Sequence, residues 1–215
     1  MDKPLVQSRR ARSDGDTTRE RILAAARRRL IEEGYARLSV REIAADAGVN
    51  HALIGYHFHG KQQLVLAVLD EANTRLLERQ RRMYEAHATA ARKWQQACEF
   101  YEEDLASGFV KLLMELMGAS FHDEELRRGF TPRLLAWKDL IEQAVDEFVR
   151  EHQLRLPVSA RAISAWITWF WVGLEASMAL GIAEEDGAQR EALDAMTRLL
   201  LQADRKPATP ARRSR

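Results

Sequence analysis

Apolar residues along most of this chain return at intervals of three and four, the spacing that gathers them on one side of an α-helix. Ile22, Ala25, Ala26, Leu30 and Ile31 make such a stripe, predicting a helix over residues 17–33 that Gly34 ends. Leu64, Val65, Val68, Leu69, Leu76 and Leu77 make another, opened by Gly60-Lys61 and continuing to Tyr84. Further helices are expected over 90–105, 109–119, 123–152, 159–180 and 185–202, with Gly108, Gly118, Pro157 and Gly181 near the breaks. Pro132 is expected to start a second helix inside 123–152, because an interior proline removes a backbone hydrogen bond and crowds the preceding turn. No run sustains alternation at period two, and five prolines and eleven glycines are few, so the chain reads as all-α.

Residues 39–61 carry the densest pattern. Ser39 followed by Glu42 has the spacing of a capping box. Val40, Ile43, Ala44 and Ala47 then form one short apolar face, and Gly48 follows where a left-handed residue can end the helix sharply. Val49 plugs the corner, and Asn50 is a good N-cap for a second helix that turns Leu53, Ile54 and Phe58 inward. Two short helices joined by a tight glycine turn are the unit whose second helix fits a DNA major groove. With its apolar residues inside, that helix leaves Asn50, His51, Ala52, Tyr56 and His57 outside or near its start. Ala52 and Gly55 are small enough for close backbone approach. Tyr56 and His57 can donate to phosphates, and Lys61 adds a charge near the start of the next helix. Taken alone, the same residues also suit a plain helical corner with Tyr56 and His57 half-buried at the surface.

A longer ordered pattern surrounds this segment: Thr18-Arg19-Glu20-Arg21-Ile22-Leu23-Ala24-Ala25-Ala26, Gly34-Tyr35, Ser39, Ile43-Ala44, Ala47-Gly48-Val49-Asn50, His57-Phe58, Gly60-Lys61 and Leu64. It resembles the DNA-binding domain of the TetR-like (TetR/AcrR) family of bacterial transcriptional regulators. The resemblance implies an N-terminal three-helix helix-turn-helix domain and a C-terminal helical ligand-binding and dimerisation domain. It also implies that Val40, Asn50, His51, Ala52, Tyr56, His57 and Lys61 meet double-stranded DNA. Gly55 stands where many members have a tyrosine, and Leu30 where phenylalanine is frequent.

Charge divides the chain in a compatible way. Residues 1–61 hold twelve Lys and Arg against eight Asp and Glu, a net +4, and residues 205–215 hold five basic residues and no acid. Under the total of +1, residues 62–204 therefore carry −8. A basic N-terminal third beside an acidic body is the footprint of a protein that turns one end toward a polyanion. The division expected is a flexible basic arm over 1–16, the helix-turn-helix domain over 17–62, the helical ligand-binding and dimerisation domain over 63–204, and a disordered basic tail over 205–215. The single cysteine, Cys98, suits a reducing cytoplasm and reads as a small core residue, a redox role being the alternative. The polar first residues do not read as a signal peptide, so a cytoplasmic protein is expected.

Residues 162–183 approach membrane-spanning length and include Trp166, Trp169, Phe170 and Trp171, with Glu175 the only charged residue. That acid would lie near mid-bilayer, and the flanking segments read as soluble amphipathic helices, so the stretch is expected to be buried on all sides within protein. Its own core and a second copy of the chain are the two candidates for covering it. The resemblance places a homodimer interface on the last two helices, and Trp169, Leu193, Met196 and Leu200 fit that role. It also implies a pocket for a small-molecule effector, which Phe100, Phe109, Leu113, Met117, Phe121, Trp137, Trp166 and Phe170 can line. Taken singly, each of these reads as a core residue before a ligand contact.

The expected function is therefore a sequence-specific DNA-binding transcriptional regulator, a repressor released from a palindromic operator by a small, largely apolar effector. No membrane, cofactor or metal is expected. The alternatives are a ligand-independent architectural DNA-binding protein and an all-α enzyme. An enzyme is poorly supported: His51, His57 and His59 lack the four-residue spacing of a helical zinc pair, and neither a phosphate loop nor a nucleophile elbow is present.

Overall fold

The computed structural model describes the backbone of residues 4–151, 153 and 155–205, and the side chains of residues 16–150, 153, 155–202 and 204. Every regular element among the described residues is helical: α1 (Pro4–Glu33), α2 (Val40–Ala47), α3 (Ala52–Phe58), α4 (Lys61–Glu85), α5 (Ala90–Ala106), α6 (Phe109–Ser120), α7 (Glu124–Glu151), α8 (Ala160–Ala179), α9 (Glu184–Gly187) and α10 (Gln189–Arg205). The described residues pack as two compact units, one from residues 4–77 with Gly108–Asp139, the other from Glu78–Ser107 with the described residues of 140–205.

In the first unit, the periodic apolar residues converge on one core. Ile22, Leu30, Ile43, Ile54, Leu64 and Leu69 are fully buried, joined there by Leu112 and Leu116 of α6 and Leu126 of α7. Each such side chain contributes roughly 1.5–3 kcal/mol when removed from water, which sets the short helices α2 and α3 firmly on their support. The sequence reading grouped α6 and the start of α7 with the helical body. Their apolar faces instead complete the core around the helix-turn-helix.

Two expectations about helix ends change. Helix α1 begins at Pro4, so the backbone of residues 4–16, expected as a flexible arm, is helical. A proline in the first turn loses no hydrogen bond and has its φ already set for a helix. Residues 1–3 and 206–215, which include most of the expected tail, lie outside the described residues. Pro132 does not restart a helix; α7 passes through it. Leu126 and Phe130 are buried before it, and after it Arg133 pairs with both carboxylate oxygens of Asp70 at 2.6 and 2.7 Å. At Gly129 a Cβ would collide with Leu66, so the two helices approach closely there. These anchors outweigh the amide that Pro132 lacks, and Arg128, whose carbonyl loses that donor, is exposed. Pro132→Ala should accordingly stabilise the protein by about 1–3 kcal/mol, read as a higher urea midpoint. An unchanged or lower midpoint would show that the proline fits this helix at no cost.

The second unit is organised by aromatic residues. Trp94 of α5 donates its indole N–H to Thr197 Oγ1 of α10 at 3.0 Å, and its ring lies 5.4 Å from that of Trp171 on α8. Ser159 caps α8 by accepting from the Ala162 amide, and Ser164, Thr168, Trp171 and Leu174 form its buried stripe. The other side of α8 is open: Trp166 is 63% and Trp169 51% exposed. Burial on all sides, expected from the sequence, does not occur within one chain. Among the described residues no helix is long and apolar enough to cross a membrane. The final segment, expected as one helix over 185–202, breaks at Ala188 into α9 and α10. The Glu184 carboxylate folds back to accept from the Arg190 and Glu191 amides, and buried Gln189 donates to the Ile182 carbonyl at 3.1 Å.

Candidate nucleic-acid interface

Helix α2 starts where the sequence indicates, with Ser39 extended at φ −112°, but the capping box does not form. Ser39 makes no side-chain cap, and Glu42 is drawn away to Arg29, 2.9 Å from Nη1. Arg29 also donates to both Asp46 oxygens at 2.6 and 3.2 Å, and Arg28 adds a third bond at 3.1 Å. The Arg29 bond, followed by those of Arg28, holds the Asp46 carboxyl below its ordinary range. Two arginines of α1 thus clamp α2. Gly48 then ends α2 in the left-handed conformation at φ 63°, and Arg21 donates to the Ala47 and Gly48 carbonyls left open there.

Helix α3 begins at Ala52, one residue later than an Asn50 cap in the strict sense would give. Asn50 still holds that end, because its Oδ1 accepts from the Ala52 amide at 2.9 Å. Ile54 and Phe58 are buried and Leu53 packs against the core, which turns the remaining side chains outward. Asn50, His51, Ala52 and Tyr56 are exposed, Tyr56 by 76%, while Val40, His57 and Lys61 are partly buried. The Tyr56 and His57 rings meet edge to face, with centroids 5.1 Å apart. Around Gly55 the space is open, so packing does not demand a glycine there and the backbone is accessible to a groove wall.

Lys61 is placed differently from the simple phosphate donor the sequence suggests. Its ammonium donates to the Tyr35 carbonyl at 2.8 Å and lies 4.2 Å from the centre of the Tyr35 ring. Burial lowers its pKa, with Asp123 acting in the opposite sense. Tyr35 in turn donates its hydroxyl to Asp123 Oδ2 at 3.2 Å and its backbone amide to Glu115 Oε2 at 3.0 Å. Burial and Asp123 push the Tyr35 phenol up to about 12. Asp123 also accepts from Gln62 and from the Leu126 amide at the start of α7, the latter bond doing most to keep it ionised. The loop before α2 and the start of α4 are therefore tied to α6 and α7 through one polar network. Sequence reasoning missed Arg21, Arg29, Asp46, Glu115 and Asp123, whose partners on other elements lie 13 to 88 residues away with no local spacing to reveal them.

The residues expected to line an effector pocket fall in two groups. Phe109 and Leu113 are buried in the first unit's core, with Met117 packed against it, and Phe121 is 70% exposed. Trp137, also of the first unit, buries an indole N–H with no partner; in the second unit Phe170 packs on Trp94, Phe100 lies under the Arg79 guanidinium, and Trp166 faces outward. Of the expected dimer residues, Trp169 and Met196 are exposed and Leu200 is partly so. Leu193 is buried within its own chain, its carbonyl accepting from Trp94.

A short helix clamped from behind, with polar and small residues on its open side, defines a helix-turn-helix protein. The sequence profile described as "Bacterial regulatory proteins, tetR family" matches residues 22–68, the span from α1 into α4. Over that span the chain is similar to the tetR family of bacterial regulatory proteins. It is 40% identical over 74 residues to the HTH-type transcriptional repressor Rv3405c of Mycobacterium tuberculosis, covering 34% of this chain and 39% of that protein. It is 32% identical over 121 residues to the HTH-type transcriptional regulator TtgR of Pseudomonas putida, covering 56% of this chain and 50% of that one. The chain thus spans half or less of these relatives' lengths. Among solved structures, a tetR-family regulator from Rhodococcus sp. superposes with a TM-score of 0.69 at 23% identity, covering 86% of this chain and 99% of that one. The regulator FadR from Bacillus subtilis, in complex with stearoyl-CoA, superposes with a TM-score of 0.68 at 19% identity, covering 85% and 95%. These two share the fold.

Proposed function

We propose that the protein is a sequence-specific transcriptional regulator that binds double-stranded DNA as a homodimer through α3. The observation that carries this reading is the open face of α3, where Asn50, His51, Ala52 and Tyr56 stand exposed on a buried, ion-paired scaffold. One such helix reads a half-site, so two must be presented about 34–36 Å apart, one turn of DNA, to fill a palindrome. The exposed apolar residues Trp166, Trp169, Met196 and Leu199 on α8 and α10 supply a surface for the second copy. Repression is supported by the name of the mycobacterial relative, and a cytoplasmic location follows from the role.

Release by a small, largely apolar effector is the regulatory half of the proposal; the FadR neighbour is itself a complex with an acyl-CoA. An effector that binds better to one arrangement of α4 shifts the separation of the two reading helices, and only by its differential affinity for the two states. Lys61, at the start of α4, holds the Tyr35 loop that leads into α2, so a change in α4 is felt there through a direct hydrogen bond.

Selection of bound sequences from random duplexes tests the proposal and should yield a two-fold symmetric site. Tyr56→Ala and His51→Ala should each weaken the selected site by about 1–3 kcal/mol without lowering thermal stability, His51→Ala with changed base preference. Lys61→Ala should weaken all sequences about evenly. Recovery of no preferred sequence, with binding that depends on salt alone, favours an architectural protein instead.

A further inference from the structure

Inside the second unit, polar groups gather that the fold itself leaves unsatisfied. Trp171 lies on the buried stripe of α8, and Glu175 follows it one turn later on the same face. Opposite stands Tyr101 of α5, its ring 5.4 Å from Trp171 and its hydroxyl buried with no hydrogen-bond partner. Tyr101 is only 6% exposed, and its phenol feels the charge of Glu175. One turn further along α5, Asp104 is paired with Arg79 of α4, whose guanidinium also reaches Glu103 at 3.3 Å and lies over the Phe100 ring at 4.7 Å. Both Nη atoms of Arg79 are thereby engaged by Glu103 and Asp104, while its buried Nε has no hydrogen-bond partner. Glu175 is left with no basic partner among the described residues, facing Asp104 and the Tyr101 hydroxyl.

The walls around these groups are aromatic. Trp94, Phe170 and Trp171 lie with centroids 5.4 to 6.0 Å apart, joined by Tyr101. A half-buried carboxyl without an ion-pair partner, a buried hydroxyl without a partner and several ring faces together favour positive charge on an apolar body. Among the described residues no cluster of three His, Cys, Asp or Glu is placed to hold a metal ion.

We infer that the second unit binds an organic cation, its charged nitrogen at the Glu175 carboxylate and Tyr101 hydroxyl and its apolar body against Trp94, Phe170 and Trp171. This rests on the reading of the chain as an effector-responsive regulator and names the chemical class of the effector. Burial, with Asp104 beside it, pushes the Glu175 carboxyl up to about 8, so at neutral pH it holds a proton that an arriving cation displaces. The groups that share this balance are Asp104 and Tyr101 of α5 and Arg79 of α4.

Calorimetry at pH 7, in two buffers of different ionisation enthalpy, tests this with 2-(1-naphthyl)ethylammonium and the neutral alcohol of the same shape. The ammonium should bind about tenfold or more tightly than the alcohol and release close to one proton. Glu175→Gln should bring the two ligands within about twofold and abolish the proton release while the protein melts no lower than the parent. Tyr101→Phe should cut the preference several-fold and leave proton release intact. Equal affinities in the parent, a preference that survives Glu175→Gln, or binding without proton release each overturns the assignment. Repeating the titration with the selected duplex present separates the two readings. Cation preference with no DNA binding removes the regulator and leaves the site, whereas DNA binding with no cation preference removes the site alone.

Discussion

Ile54→Ala should lower stability by about 2–5 kcal/mol and remove operator binding with it. Ile54 is fully buried, and it belongs to the same closed core as Leu30, Ile43, Phe58 and Leu64, each exposed by 3% or less. Removing most of that side chain loses its transfer energy and leaves a cavity that a seven-residue helix, held at one end by Asn50 and at the other by Phe58, cannot close by shifting. Urea unfolding and operator titration on the same preparation check both parts. Tyr56→Ala, two residues on, is the control, because an exposed ring contributes little to the core and its loss should be felt only on DNA. A loss under about 1 kcal/mol for Ile54→Ala would mean that the core relaxes around α3 and that its position is not set by packing.

The second large effect is a pH dependence located at Glu175. Its pKa rises from 4.5 in the unfolded chain to about 8 in the folded one, first through burial and then through Asp104. Between those values the folded state holds a proton that the unfolded state has lost, so stability falls as pH rises through this window. The stability is fully present below about pH 4.5 and the loss is complete above about pH 8. Glu175→Gln cannot lose that proton. Its advantage over the parent should therefore grow between pH 5 and pH 8.5, reaching about 2–5 kcal/mol. Asp104, raised to about 6 by burial against the opposing pull of Arg79, adds a slope of the same sign at lower pH, and it remains in both proteins. Melting temperatures across that range decide the matter. Parallel curves for parent and variant would show that Glu175 is ionised in the folded protein.

The parts of this molecule legible in the sequence are those whose causes lie within a turn or two of the residue concerned. The apolar stripe of α1, the glycine that ends α2 at φ 63°, and the inward set Leu53, Ile54 and Phe58 depend on helical periodicity and backbone conformation, which neighbouring residues decide. The identity of the exposed face of α3 follows from them, since a helix with one side buried has only the other to offer. The start of α5 has an equally local cause: Thr89 caps it by accepting from the Arg92 amide, three residues on.

Tertiary structure decided whatever depends on a partner far along the chain. Glu42 had the spacing for a capping box, but the guanidinium of Arg29 offered it a charged bond, which is stronger than a neutral cap. Pro132 carries a local signal to break, which the packing of Gly129 on Leu66 and the Arg133–Asp70 pair outweigh. Lys61 looked like a free phosphate donor, and only the fold brings Tyr35 under its ammonium. The burial of Glu175 beside Asp104 and Tyr101 is of the same kind. A single acid in an apolar stretch shows no neighbours in sequence, and its charge acquires chemical meaning only when packing removes water and counter-ions from around it.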